Sequence, residues 1–310
     1  MLRPWEISPG IRKRRTGLPE TNPTPKGKKL RHPAPHAAGI FGDSADMREI
    51  RPLKEAGIIN GVTTNPTLLK RAGADSRKAA GRIMREIAEF MAPDPVFLET
   101  TETERSKMIA EAAQLAAFGD NVVIKVPVGG YRSLQEGLSG FTGIEIIHEL
   151  WNRDIKTLAT LVFNSSQAFW AANAGATYIC PFLGRLADHM YKHDHPERTP
   201  GNSLYFMVDH KVPAGGTDRV ENTPYVAVDG ERKDAGVRLI NEIVTIYNNY
   251  GIETEILAAS LRNAVQVMEC LVAGADIITV PANILMGVAD HSLSDAGMEA
   301  FIADTKVFDK

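Results

Sequence analysis

The sequence predicts an α/β protein folded as a (β/α)8 TIM barrel, and three observations carry that expectation. Eight short apolar runs alternate with segments of helical spacing over about 270 residues, the size of one such barrel. Most of these runs are continuously apolar, as expected of parallel strands covered on both faces. The alternative, a doubly wound open sheet, loses its commonest support because no Gly-x-Gly-x-x-Gly opens a helix after the first strand.

Taken in order, residues 39–43 form a short apolar strand ending in Asp43, and 46–56 show helical spacing through Met47, Ile50 and Leu53. A second strand, 61–64, is stopped by Asn65-Pro66. Helix 76–91 sets Ile83, Ile87 and Phe90 on one face; strand 96–99 and helix 104–118 follow. Residues 121–126 are an apolar strand interrupted by one lysine, and the next helix falls within about 131–151, marked by Ile144, Ile147, Leu150 and Trp151. Strand 156–163, helix 165–174 and strand 178–182 come next. After a long break come helix 235–250, strand 255–259, helix 263–273, strand 276–280 and a closing helix 294–305 with Ser294 as its N-cap.

Two segments stand outside the pattern. Residues 1–38 contain seven prolines and nine Lys/Arg against two acids, a composition that favours a disordered basic tail or an unused upstream start. An arm for nucleic acid or an acidic partner, built on Arg12–Arg15 and Lys26–Arg31, and an organellar transit peptide are the alternatives. Residues 188–235 are polar and rich in Pro and Gly; they read as an insertion in a catalytic domain spanning 39–310, either a partial lid or a plain surface loop. His189, His193 and His195 with Asp188 and Asp194 match no metal-binding spacing, so a solvated loop is expected there.

Composition narrows the function. The chain has 310 residues, 44% hydrophobic and 24% charged, ordinary for a globular protein, and no run of 18 apolar residues to span a membrane. The net charge is −3; with +7 in residues 1–38, the body carries −10, which argues against nucleic acid as a partner. The two cysteines, Cys180 and Cys270, support neither a disulfide framework nor a Cys-rich zinc site, and reduced thiols fit a cytoplasmic protein.

In such a barrel the catalytic groups stand at the C-terminal ends of strands. Those ends carry Asp43, Thr64-Asn65, Glu99, Lys125, Thr160, Arg185 and Ser260 to Arg262, while the eighth strand ends apolar in Val280-Pro281-Ala282. Lys125 is the most informative. Alternation sets it on the same face as Val123, and an interior lysine is costly unless used or paired. Desolvation favours the neutral amine, which attacks carbonyls to form a Schiff base; the competing reading is a lysine paired with Glu99. Arg185, Arg262, Ser260 and a helix N-terminus together would hold a phosphate, which suggests a phosphosugar carbonyl substrate.

These segments resemble the transaldolase family, in the branch of the small transaldolases and fructose-6-phosphate aldolase. The likeness rests on GVTTNPTLL (61–69), VVIKVP (122–127), CPFLGR (180–185) and AASLRN (258–263), in the family's order on the corresponding strands. It implies that Lys125 forms an iminium with a ketose phosphate. It implies further that Asp43 is the acid/base at the bond being cleaved, and that Glu99 and Thr160 hold a proton-shuttling water. Asn65 would bind the dihydroxyacetone hydroxyls, and Arg185, Ser260 and Arg262 the acceptor phosphate. No metal or organic cofactor is implied. A homo-oligomer is, with the closing helix exchanged between subunits, and so is a place in the pentose phosphate pathway.

Cys180 stands where classical transaldolases have serine, and Leu158 where the larger enzymes have asparagine. Glu99 and Phe182 replace the Gln and Tyr typical of the aldolase branch. They favour transfer of dihydroxyacetone from fructose 6-phosphate or sedoheptulose 7-phosphate to an aldose phosphate. The alternatives are a lyase releasing free dihydroxyacetone, a transaldolase specialised for an unusual long-chain sugar phosphate, and a non-enzymatic phosphosugar-binding protein.

Overall fold

The computed structural model describes residues 38–131, 137–194, 234–288 and 291–308. Eight parallel strands close into a barrel in chain order: β1 (Gly39–Asp43), β2 (Val62–Thr63), β3 (Val96–Glu99), β4 (Val122–Pro127), β5 (Thr157–Val162), β6 (Tyr178–Pro181), β7 (Glu255–Ala258) and β8 (Ile277–Val280). β8 pairs back onto β1, Gly39 opposite Ile277 through Gly42 opposite Val280. The described helices are α1 (Met47–Glu55), α2 (Pro66–Arg71), α3 (Arg77–Met91), α4 (Arg105–Ala116), α5 (Thr142–Trp151), α6 (Ser165–Asn173), α7 (Leu183–Asp194), α8 (Ala235–Tyr250), α9 (Ala264–Ala273), α10 (Ala282–Val288) and α11 (Ser292–Thr305). The expected (β/α)8 barrel is the observed fold.

Strand alternation separates two cores. Side chains facing out, such as Val96, Leu98, Ile124, Ile179 and Ile278, pack with the buried faces of the helices into one continuous layer. Side chains facing in form a second cluster: Phe41, Phe97, Val123, Leu158, Cys180, Leu257, Ala259 and Ile277. Phe97 sits between Phe41, 5.4 Å away centre to centre, and Tyr178, at 5.0 Å edge-on. This plug fills the barrel beneath the strand ends, so the polar groups above it rest on a dry floor.

β5 breaks the alternation. Ala159 and Val162, three residues apart, both face the helices, and the register against β6 shifts between them. The extra residue is absorbed by Leu161, held at φ 58°, a bulge that leaves Leu158 and Thr160 free to face elsewhere than the helices.

The structure revises several sequence-based boundaries. Asn65-Pro66 ends a strand but also starts α2: Asn65 Oδ1 accepts from the Leu68 N–H, and proline suits the first turn because it has no N–H to lose. Residues 188–194, read as the start of a loop, continue α7, whose Leu183 and Ala187 are buried against the core. The remainder of that insertion, 195–233, and residues 1–37 of the tail lie outside the described residues. α10 had no counterpart in the sequence reading. The closing helix begins at Ser292, capped by His291 through Nδ1 rather than by Ser294. Among the described residues no helix is long and apolar enough to cross a membrane.

The interior plug makes a checkable claim. Phe97→Ala should cost about 3–5 kcal/mol of unfolding free energy in urea titration, because the ring is enclosed and its neighbours are held by the barrel. A loss under about 1 kcal/mol, the usual scale of a surface change, would mean the interior is not packed as described.

Candidate active site

The strand pleat gathers acids and a lysine above the apolar floor. Glu99 and Lys125 are register partners on adjacent strands, both two residues beyond interior floor residues, Phe97 and Val123. Their side chains therefore meet: Lys125 Nζ lies 3.2 Å from Glu99 Oε2 and donates to the Thr64 carbonyl at 2.8 Å. The lysine is 3% exposed.

Burial is the largest single influence on Lys125 and favours the neutral amine. Glu99, through its charge and a hydrogen bond, acts with the charge of Asp43 in the opposite direction, and the amine is held above the ordinary lysine value. The pairing with Glu99 therefore opposes the effect of desolvation on this lysine and favours its charged form. Both readings of the sequence, an interior lysine and a partner for Glu99, describe one arrangement.

Asp43 ends β1 on the same interior face as Phe41. Burial raises its carboxyl above the ordinary value, while Lys125 and a hydrogen bond from Thr63 pull the other way and lose. That bond, Thr63 Oγ1 donating to Asp43 Oδ1, is 2.8 Å long, and Thr63 Oγ1 also lies 2.5 Å from Thr279 Oγ1 on β8. Neither threonine was identified from sequence. The signal was there in β8: with Ile277 facing inward, alternation sends Thr279 inward too.

Thr160 is fully buried, and its hydroxyl makes no geometrically sound hydrogen bond among the described residues. It sits in electrostatic reach of the Cys180 thiol, which burial pushes up to about 12. Cys180 is therefore a neutral neighbour at ordinary pH, not a thiolate. Among the described residues, no three His, Cys, Asp or Glu side chains gather as a metal site would require.

The arginines flank the far side. Ser260 follows β7 in the left-handed region, at φ 67°, and its carbonyl accepts from Arg262 Nη1 at 3.1 Å. A Cβ on Gly184 would come within 1.8 Å of that carbonyl, so only glycine lets the start of α7 close on this loop. Arg262 is held from several sides. Nη2 and Nε reach Asp188 Oδ2 at 2.9 and 3.3 Å, and the backbone N–H donates to Gln266 Oε1. Gln266 in turn donates to Asp234, the cap of α8. Gln266 was not singled out from sequence, and Asp188 was expected in a solvated loop; in the structure it lies in α7 and pairs with Arg262, a partner met only through the fold.

Arg185 is exposed, its guanidinium 5.1 Å from the centre of the Phe182 ring, with no ion pair among the described residues. Phe182 packs edge-on against Phe163 at 6.1 Å. Asn65 spends Oδ1 on the α2 cap, which leaves its amide NH2 as the group it can offer a ligand. The structure thus joins Lys125, Glu99 and Asp43 electrostatically, sets Thr160 beside Cys180, and brings Arg262 and Ser260 against the α7 start that carries Arg185.

A family model described as Transaldolase/Fructose-6-phosphate aldolase matches residues 40–309. Among curated proteins, the chain is 37% identical over 265 residues to the "Probable transaldolase" of Maridesulfovibrio salexigens, covering 86% of this chain and 96% of that one. It is 34% identical over 271 residues to the protein of that name from Clostridium tetani, covering 87% and 99%. It is also 37% identical over 265 residues to that from Moorella thermoacetica, covering 86% and 96%.

The electrostatics of Asp43 give a stability test. A carboxyl raised by burial contributes stability that is complete below its ordinary value of 3.8 and is lost as pH rises through the raised value. Asp43→Asn escapes that loss and can still accept from Thr63. Its melting temperature should exceed that of the parent at pH 8, with the gap closing toward pH 4. A variant less stable than the parent at pH 8 would show that Lys125 holds the ionised carboxylate more strongly than burial opposes it.

Proposed function

The chain belongs to the transaldolase/fructose-6-phosphate aldolase family, and on that premise we propose that it transfers a dihydroxyacetone unit from a ketose phosphate to an aldose phosphate through an imine on Lys125. The observation that supports this most is the lysine itself: enclosed inside the barrel, yet within 3.2 Å of one carboxylate and in the field of a second.

The chemistry follows from these positions. The ammonium must lose a proton before it can attack, and Glu99 is the adjacent acceptor. The freed amine adds to the ketose carbonyl carbon, and the carbonyl oxygen takes up one of the two protons on the attacking nitrogen. The resulting carbinolamine loses water to give a protonated imine; Glu99 returns the proton to the departing hydroxyl, and on this reading the Thr160 hydroxyl holds the water. Asp43 then takes the proton of the C4 hydroxyl. The C3–C4 bond breaks, its electron pair flows into the imine to form an enamine, and an aldose phosphate leaves. With an acceptor aldehyde the steps run backward, Asp43 returning the proton to the new alkoxide.

Arg262, aimed by Asp188, and Arg185, steadied on Phe182, suit a phosphate beside Ser260. The amide of Asn65 suits the hydroxyls of the dihydroxyacetone unit. Phe182 against Phe163 favours transfer over release, since an aromatic wall offers no hydroxyl to position a hydrolytic water. Fructose 6-phosphate or sedoheptulose 7-phosphate is the donor on this reading.

A homo-oligomer belongs to the same proposal. No residue of α11 is buried, and Leu293, Met298, Phe301 and Ile302 are all more than half exposed, an apolar surface that marks an interface. Light scattering should give a mass above 33.8 kDa for the full chain. A chain ending at residue 290 should run smaller than its lost residues explain.

The mechanism is tested by borohydride trapping with fructose 6-phosphate. Mass spectrometry should find one reduced dihydroxyacetone adduct on the peptide carrying Lys125, and none in Lys125→Met. An adduct on another lysine defeats the assignment. Arg262→Ala should lower apparent affinity for a phosphorylated acceptor at least tenfold, from a charge-assisted contact of about 1.5–3 kcal/mol, and leave glyceraldehyde nearly unaffected. Release of dihydroxyacetone as fast as its transfer would favour the lyase.

A further inference from the structure

The hydroxyls beside Asp43 have a direction. Thr63 has one hydroxyl proton and donates it to Asp43 Oδ1 at 2.8 Å. Its oxygen also lies 2.5 Å from that of Thr279, so the proton in that second contact must come from Thr279. The two threonines are 1% and 2% exposed; Thr63 reaches the carboxylate from β2, and Thr279 reaches Thr63 from β8, the two strands that flank β1. Water therefore does not supply these contacts; the barrel wall does.

We propose that Thr279 and Thr63 form a one-way hydroxyl relay that positions Asp43, holding Oδ1 as a permanent acceptor and leaving Oδ2 as the oxygen that takes and returns the substrate proton. Both are positioning residues, since they act through Asp43. The proposal rests on the reading of Asp43 as acid/base. It adds which oxygen carries the proton and what keeps it there.

Two arrangements of these protons compete. With Thr63 donating to Oδ1, a proton gained by the carboxyl sits on Oδ2, away from the wall. In the reverse arrangement the proton would sit on Oδ1, donate to Thr63, and turn Thr63 toward Thr279. It would then be trapped between strands, where no substrate reaches. The donating arrangement also favours the ionised carboxylate, because a hydrogen bond donated to an anion is stronger than one to a neutral acid. The other groups that face Asp43 are Lys125 from β4, the Cys180 thiol from β6 and, across the lysine, Glu99 from β3. The lysine works in the same direction as Thr63. The thiol, held up to about 12, is neutral over the working range.

Two readouts separate the relay from the catalytic reading. Infrared difference titration follows the carboxyl band of Asp43, assigned by its loss in Asp43→Asn. Single-turnover cleavage of fructose 6-phosphate follows the acid limb of the rate. Thr63→Val removes the donor, so the carboxyl midpoint should rise by roughly 0.5–1 pH unit, the scale of one hydrogen bond. The acid limb should move up with it. Thr63→Ser keeps a hydroxyl and should restore both. Thr279→Val should shift both the same way by less, because Thr63 remains but loses its own donor.

A folded Thr63→Val protein with an unmoved or lowered midpoint overturns the relay. If the midpoint rises while the acid limb stays in place, the relay stands and the acid/base role of Asp43 falls. Should Thr63→Val fail to fold, Thr63→Ser and Thr279→Val still decide. A serine variant shifted upward as far as 1 unit, or an unshifted Thr279→Val protein, counts against the relay.

Discussion

A cation enclosed by a β-barrel sets the terms for the whole upper half of this molecule. Taking an ammonium out of water costs several kcal/mol, and a carboxylate beside it costs as much again. At 3.2 Å and an effective dielectric near 20, the attraction between Lys125 and Glu99 is about 5 kcal/mol, of the same order as those costs. Neither partner can be tolerated alone, and both must be fixed in place. Much of the rest follows from that need: the register pairing of Glu99 with Lys125, the Thr64 carbonyl as a further acceptor, and Asp43 within reach of the same charge. The amine is held above its ordinary value, so the same carboxylates that make its burial tolerable also favour its charged form.

The fold keeps this tension apart from its own stability. Most apolar burial lies between the outer strand faces and the helices, and the plug of Phe41, Phe97 and Leu257 closes the barrel below. The charged residues sit on strand ends and add little to that packing. Caps do a second job on this face. Asn65, Asn263 and Asp234 all accept from helix N–H groups, fixing the loops that also carry the candidate phosphate and hydroxyl ligands. The price is local strain, visible at Ser260, where a residue other than glycine holds a left-handed backbone.

What could be read in the sequence was whatever a single strand carries by itself. The period of two in VVIKVP points Lys125 inward, and the same rule places Asp43 after Phe41 and Glu99 after Phe97. Contacts between distant strands left no local trace: Thr63 and Thr279 are 216 residues apart, and Asp188 and Arg262 are 74 apart. Boundaries erred where one residue serves two elements. Asn65-Pro66 closes a strand and opens a helix, and the polar residues at 188–194 hid the continuation of α7 behind a single buried face. Charge was open for a related reason. A lysine in an apolar run reads as desolvated, while the carboxylates whose charge favours its protonated form come from other strands.

The bulge in β5 bears on what kinds of genetic change this chain can absorb. Exchanging Leu161 for another side chain disturbs one backbone angle. Removing the residue altogether would take out the bulge and its left-handed angle, with Ala159 and Val162 still on the helix side and Thr160 between them on the other. The pairing of Val162 opposite Pro181 and the connection through Phe163 into the Asn164 cap would both be drawn in by one step. Length in this strand is therefore held more tightly than composition. Single-residue deletions here should be rarer among functional descendants of this chain than substitutions at the same positions.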